Sequence, residues 1–345
     1  MKSSFVSTLT WTSSALKSVA RLQNEMAKAT TEIATGRYAD VGLSLGLRTG
    51  QSVSLYSTKA AISSQTLSNN FASNIVGTSQ TVMAKLIADG DEFLQDLITA
   101  QSSSADPKTL VTQAETALAT LTDNLNTSDG QRYLFAGTNS SVQPMAAYED
   151  GPEAAVTAAF TAAFGVSPTD PAVSNISASD METFLNGTFA DLFADPSWGN
   201  TWSSASDQPL TSQISSNARA NITTTANIDG VRNLTMALTM VAKLGTANLS
   251  AETRAVLVDK ATTVAGAAIS QITTVSASLG VTQSRINKAN DVLSSASTLV
   301  ETQISNLEGV DTAEAKTRLD NMTTQLEMSY STTATLMQLS LLNYA

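Results

Sequence analysis

The chain has 345 residues and a formal net charge of −11, with 14% charged and 5% aromatic residues. It contains neither cysteine nor histidine, which removes disulfides, thiolate chemistry and the commonest soft metal ligands, and leaves no cofactor implied. The acidic balance argues against nucleic acid and anionic membrane as partners, because both require a basic footprint.

The first segment has the period of a coiled coil. Phe5, Leu9, Thr12, Leu16, Val19, Gln23, Met26, Thr30 and Ile33 follow alternating spacings of four and three, and Gly36 supplies a stop. Roughly thirty helical residues at ~1.5 Å each predict a rod of about 45 Å. No continuous apolar run follows Met1, since Thr8, Thr10, Thr12, Ser13 and Ser14 interrupt it, so no cleaved signal peptide is expected. Nor does any run suggest a bilayer span. Gly42, Gly46 and Gly50 mark a loop or loosely helical turn.

Residues 58–101 then carry a helical stripe of Leu67, Phe71, Ile75, Val82, Leu86, Phe93 and Leu97. Asp106-Pro107 is a cap followed by proline at the first helical position, and Leu110, Val111, Ala114, Leu118, Leu121 and Leu125 continue from it. Tyr133-Leu134-Phe135, bounded by Gly130 and Gly137, is the clearest strand candidate here. The composition then shifts. Six of the seven prolines fall between 144 and 209, and residues 145–228 hold nine acidic side chains against one basic, Arg219. Such a change marks an inserted unit.

After the insertion Val231–Leu244 reads as amphipathic, and from the capping residue Ser250 a stripe of Leu257, Ala261, Val264, Ala268, Ile272, Val275 and Leu279 begins. It resumes through Ile286, Leu293, Val300, Ile304 and Leu307. The last segment repeats the coiled-coil spacing at Ala315, Leu319, Met322, Leu326, Ser329, Thr333, Leu336 and Ser340. Polar seam positions make both ends marginal as isolated helices. Periodicity alone does not separate a bundle closing on itself from packing between chains.

The expected fold class is mainly α: long antiparallel helices with a coiled coil from paired N- and C-terminal segments, a small β element, and an inserted mixed α+β outer domain. The expected domains are a terminal inner coiled coil (1–40 and 306–345), a helical middle domain (41–143 and 213–305) and an outer insertion (144–212). Both helical sets must meet to bury their stripes, which brings the termini together at one end and puts the insertion at the other.

Motifs for chemistry are weak. Ser14-Ala15-Leu16-Lys17 matches a Ser-x-x-Lys pattern, but its usual companion motifs are missing and Leu16 falls on the seam. Asp89-Gly90-Asp91-Glu92 lacks the spacing of a calcium loop and reads as a solvated charged turn. Asn-x-Ser/Thr triplets at Asn126, Asn139, Asn186, Asn221, Asn248 and Asn321 are coincidental in so polar a chain. No catalytic, cofactor-binding or metal residue is assigned, and the chain is not read as an enzyme.

Two segments carry a family resemblance. Gly130-Gln131-Arg132-Tyr133-Leu134-Phe135-Ala136-Gly137-Thr138, with Gln143-Pro144 beyond it, resembles the "G-x-YLF-[SA]-G … P" stretch of hook–filament junction proteins, the flagellar hook-associated protein three family within the flagellin superfamily. Val310-Asp311-Thr312-Ala313-Glu314-Ala315, then Leu326 to Ala334 and Gln338 to Ala345, is similar to that family's ending, with Ala345 in place of the usual leucine. Ile33-Ala34-Thr35-Gly36-Arg37 resembles a motif of flagellins and junction proteins alike, although Tyr38–Gly50 replaces the acidic turn that often follows. The family motif residues are Tyr133, Leu134, Phe135 and Gly137.

The resemblance implies a non-enzymatic, extracellular subunit exported unfolded by the flagellar type III apparatus without a cleaved leader. It would form a ring joining hook to filament. Implied partners are neighbouring copies, the other hook-associated protein, flagellin, and an export chaperone on the C-terminal helix. The assembly interface is then expected at Phe5, Leu9, Leu16, Val19, Met26 and Ile33 on the N-terminal helix. On the C-terminal helix it is expected at Leu319, Met322, Leu326, Tyr330, Leu336, Leu339 and Leu342. The alternative within the family is a flagellin-like filament subunit. Outside it stand a secreted helical adhesin or effector and, last, a Ser-Lys hydrolase.

Overall fold

The computed structural model describes residues 8–102 and 106–342. These fold as long helices with one small hairpin, in two compact units: one from the described residues up to Ser64 together with those from Val292 onward, the other spanning Gln65–Asp291.

In the first unit α1 (Thr8–Thr35) leads through α2 (Val41–Leu45) and a short 3-10 turn to the start of α3 (Thr49–Ser102). Asp40 caps α2, its carboxylate accepting from the Leu43 amide at 2.8 Å. Gly46 takes a positive φ of 54° at the end of α2, the conformation glycine adopts without a Cβ penalty. So the recurrent glycines do mark a loosely helical turn.

The second unit holds the main hydrophobic core. α4 (Pro107–Leu125) starts as its sequence predicts, with the Asp106 carboxylate accepting from the Lys108 amide and proline in the first turn. Leu110, Ala114, Leu118, Leu121 and Leu125 form its buried stripe. The insertion adds α5 (Pro152–Phe164), α6 (Ala178–Asn186), α7 (Thr188–Asp191) and α8 (Ser197–Thr201). An aromatic chain fills this part. Phe160, Phe184, Phe189 and Phe193 lead to Trp198 and Trp202, whose rings stack with centroids 5.9 Å apart and 11° between planes. Both tryptophans are buried.

β1 (Thr211–Ser215) and β2 (Ala218–Asn221) then form an antiparallel hairpin, with Ile214 as a bulge residue between Gln213 and Ser215. This hairpin, not Tyr133–Phe135, is the named sheet. The latter segment makes only isolated bridges, Ser128 to Tyr133 and Ala136 to Thr225.

α9 (Asp229–Lys243) is amphipathic in sequence, as read, yet Leu234–Ala242 is buried all round, polar face included. Its threonines are tolerated there because Thr235 and Thr239 donate to the carbonyls of Val231 and Thr235. α10 (Ala251–Glu308) starts at Ser250, whose hydroxyl accepts from the Thr253 amide, as predicted. It runs antiparallel to α3 in the second unit. Gln101 donates to Thr262, and Asn69 donates to Asn290 at 2.9 Å and to the Ile214 carbonyl at 3.0 Å. By length and composition alone α10 could cross a membrane, contrary to the sequence expectation, but Leu257, Ala261, Ala265, Ala268 and Ile272 are buried within the protein.

Asp89–Glu92 also differs from expectation. It lies inside α3, not in a turn, and a Cβ on Gly90 would stand 3.0 Å from Ile269 of α10. The glycine therefore serves helix–helix approach. α11 (Thr312–Leu342) closes the chain in the first unit.

Candidate functional site

The paired terminal helices form the candidate site. α1 and α11 run antiparallel: Glu32 bonds Arg318 at one end, and Gln23 donates to Tyr330 at 3.2 Å further along. On α11 the covered positions include Ala315, Leu319, Met322, Leu326, Ser329 and Thr333, the described part of the stripe read from sequence. On α1 they include Ala15, Val19, Leu22, Met26, Ala29 and Ile33. Val19, Met26 and Ile33 are shared with the predicted stripe, whereas its alternate members Leu16, Gln23 and Thr30 are exposed. One residue is about 100° of rotation on a helix, so the intervening positions turn out of the seam. Leu22 in place of Gln23 was the available signal. That signal is weak because the seam alanines at 15 and 29 contribute little hydrophobicity.

Little apolar surface is enclosed here. Among the described residues of this unit the buried hydrophobics are Ala29, Leu45, Val300, Ile304 and Ala315. Large apolar side chains instead face outward: Leu16 at 68% exposure, Met328 at 56%, Tyr330 at 51%, and Leu43, Leu47, Val53, Val292 and Leu299 beside them in the same unit. Phe5 lies outside the described residues, as do the side chains of Leu9, Leu336, Leu339 and Leu342.

A buried polar cluster joins the two terminal segments, and sequence reasoning missed it. Glu308, 2% exposed, accepts from Arg37 at 2.7 Å, from the Tyr56 hydroxyl at 3.0 Å and from the Ser52 hydroxyl. Arg37 also donates to Tyr56 and lies over its ring, 5.7 Å from the centroid. Glu32, 7% exposed, pairs with Arg318 at 2.9 Å. The backbone closes around these pairs, with Tyr38 N–H bonding the Glu308 carbonyl and Val310 N–H the Gly36 carbonyl, both at 3.0 Å. Gly36, at φ 67°, ends α1 as expected and frees its carbonyl for this bond. Each carboxylate therefore has a cation drawn from the opposite end of the chain.

The Tyr133–Gly137 turn belongs to the second unit. Leu134 and Phe135 are core residues, and Tyr133 N–H bonds the Ser140 carbonyl at 2.8 Å. Gly137 adopts φ 61°, and a Cβ there would stand 2.5 Å from the Gln208 carbonyl oxygen and 2.6 Å from that of Ser206. The turn is held to the insertion and to the segment between β2 and α9 by Ser206 N–H on the Ala136 carbonyl and Ala226 N–H on the Phe135 carbonyl.

Ser14 and Lys17 both lie exposed on α1. Among the described residues no group of three His, Cys, Asp or Glu could hold a metal ion.

Comparison with known proteins places these features. Residues 6–140 match the family model for the bacterial flagellin N-terminal helical region, and residues 262–345 match that for the bacterial flagellin C-terminal helical region. Together they cover well over half of the chain. No curated protein matches. Among solved structures, one assigned as a flagellar hook-associated protein from Vibrio parahaemolyticus is similar in fold, with a TM-score of 0.52 at 8% identity, covering 76% of this chain and 97% of that one.

Proposed function

The chain belongs to the flagellin superfamily of structural flagellar components, and from that premise we propose that it is the subunit joining hook to filament. The observation that carries the proposal is the Tyr133-Leu134-Phe135-Ala136-Gly137 turn, buried from Leu134 onward, whose sequence resembles the junction family. Copies assemble as a ring through α1 and α11, with residues 1–40 and 306–345 as the inner coiled coil, 41–143 and 213–305 as the middle domain and 144–212 facing outward. The apolar side chains left exposed in the first unit support this reading, since so many outward Leu, Val, Met and Tyr side chains in one unit call for partners. The neighbours are further copies, the other hook-associated protein and flagellin. An export chaperone holds the C-terminal helix before secretion. The role is architectural and involves no catalysis.

Gene deletion tests the junction role. Loss of filaments with flagellin still secreted into the medium is the expected result; loss of secreted flagellin would make the chain the filament subunit. Replacing the seam residue Leu326 by Asp should abolish incorporation while the Trp198–Trp202 stack keeps its near-ultraviolet dichroism. Incorporation at the wild-type level would refute assembly through this helix.

A further inference from the structure

A cleft of about 490 Å³ opens in the second unit between the β2 strand with the segment after it and the α10 helix. Its lining includes the buried side chains of Thr223 and Thr224 from that segment and Thr282 from α10. At its edge stand two exposed arginines, Arg219 of β2 and Arg285 of α10. Arg285 donates through Nη2 to the Arg219 carbonyl at 3.2 Å, which fixes its guanidinium at the cleft and leaves further N–H groups unused. The one carboxylate on the rim, Asp207, accepts from Asn227 at 2.7 Å. Neither arginine forms an ion pair among the described residues, whereas Arg37, Arg132, Arg232 and Arg318 each do.

Two guanidinium forks beside hydroxyl-bearing walls favour carboxylate ligands, whose planar geometry they match in pairs of hydrogen bonds. The chain itself supplies such ligands. Glu149, Asp150, Glu153, Glu182 and Asp191 of the insertion are exposed and form no ion pair among the described residues. Copies of net charge −11 repel each other, so a contact between them requires local positive points set against acidic surface. We propose that this cleft is a contact site for a second copy of the chain, with Arg219 and Arg285 receiving its surface carboxylates. The inference rests on the self-assembly proposed above and adds an interface away from the terminal helices. Because cleft and acidic surface are different patches, a contact made without reciprocation is head-to-tail, the kind that builds rings or filaments.

The test is sedimentation velocity of the full chain across a concentration series, at low and high ionic strength. It compares the wild type with Arg219→Glu/Arg285→Glu and the milder Arg219→Gln/Arg285→Gln, with folding checked by the near-ultraviolet signal of the tryptophan stack. The expected result is wild-type self-association that weakens with salt, with the Glu variant at least about tenfold weaker and largely insensitive to salt. Unchanged association of a folded variant would overturn the cleft as a contact while leaving assembly through α1 and α11 standing. If the Glu variant misfolds, the Gln variant decides on the same criterion. A wild type that stays monomeric at every concentration would overturn the self-assembly reading, and this inference with it.

Discussion

Removing Arg37 should cost more than neutralising its partner. Glu308 is 2% exposed, whereas the Arg37 side chain is 42% exposed, so the two members of the pair lose unequally when separated. Arg37→Ala leaves a buried carboxylate held only by the Ser52 and Tyr56 hydroxyls. Breaking a buried pair by removing one member costs ~3–5 kcal/mol, and the remaining hydroxyls bring the expectation here to about 2–3 kcal/mol. Glu308→Gln removes the charge but keeps the shape, and the freed guanidinium returns to water, so about 1 kcal/mol is expected. Hydrogen exchange reads this locally, because the amides of Tyr38 and Val310 bond across the joint. At ~1.4 kcal/mol per tenfold, protection of both should fall on the order of fiftyfold in Arg37→Ala and about fivefold in Glu308→Gln. The double variant should be less harmed than Arg37→Ala, since no stranded charge remains. Equal losses in the two single variants, or additive losses in the double, would refute the reasoning.

Gly137→Ala should destabilise the second unit by about 2–4 kcal/mol, because the new Cβ meets two carbonyl oxygens at a positive φ. Urea unfolding followed by tryptophan fluorescence measures it, and a loss below about 0.5 kcal/mol would contradict the geometry. Gly230→Ala should also destabilise, by about 1–3 kcal/mol, since its Cβ would lie 2.7 Å from Ile272 where α9 meets α10. Asp129 is subject to partial burial, which raises its pKa. The amides of Gln131 and Arg132 and the Arg132 charge outweigh this, so the carboxyl titrates below the usual aspartate range. Its folded pKa is thus depressed. The stabilisation is present above the unfolded value of 3.8 and is lost as pH falls through the lower folded value. Protection of the Gln131 and Arg132 amides, taken relative to the intrinsic exchange rate at each pH, should fall over that acid window and be flat in Asp129→Asn.

Where one physical rule acts locally, the sequence was legible. The caps at Asp106 and Ser250, the stop at Gly36 and the α11 stripe all follow from neighbours within a turn or two. Features fixed by distant partners were hidden. α9 looks amphipathic because threonine counts as polar, yet Thr235 and Thr239 satisfy their hydroxyls on their own helix and lie buried. Asp89–Glu92 looks like a turn because glycine and charge coincide, yet Gly90 is there for Ile269, far away in sequence. The hairpin at Thr211–Asn221 carries few apolar residues, so only the two-residue Ser216-Asn217 connection hinted at it. The joint around Glu308 was invisible, since Ser52, Tyr56 and Arg37 acquire meaning only once three segments meet.

That joint also answers a difficulty raised by the seam itself. A stripe of Ala, Ser, Thr and a few larger side chains repeating by heptads packs almost as well after a slip of one heptad, so the terminal helices are poorly specified by apolar contacts alone. Such a slip moves a residue about 10 Å along the axis. It would carry Arg318 away from Glu32 and leave a carboxylate of 7% exposure without its cation. The cost of that stranded charge discriminates between registers that the small side chains do not, which is a better-attested use of a buried ion pair than raw stability. The apolar residues facing outward are then presented in one fixed register, which an interface shared between copies requires and a bundle closing on itself does not.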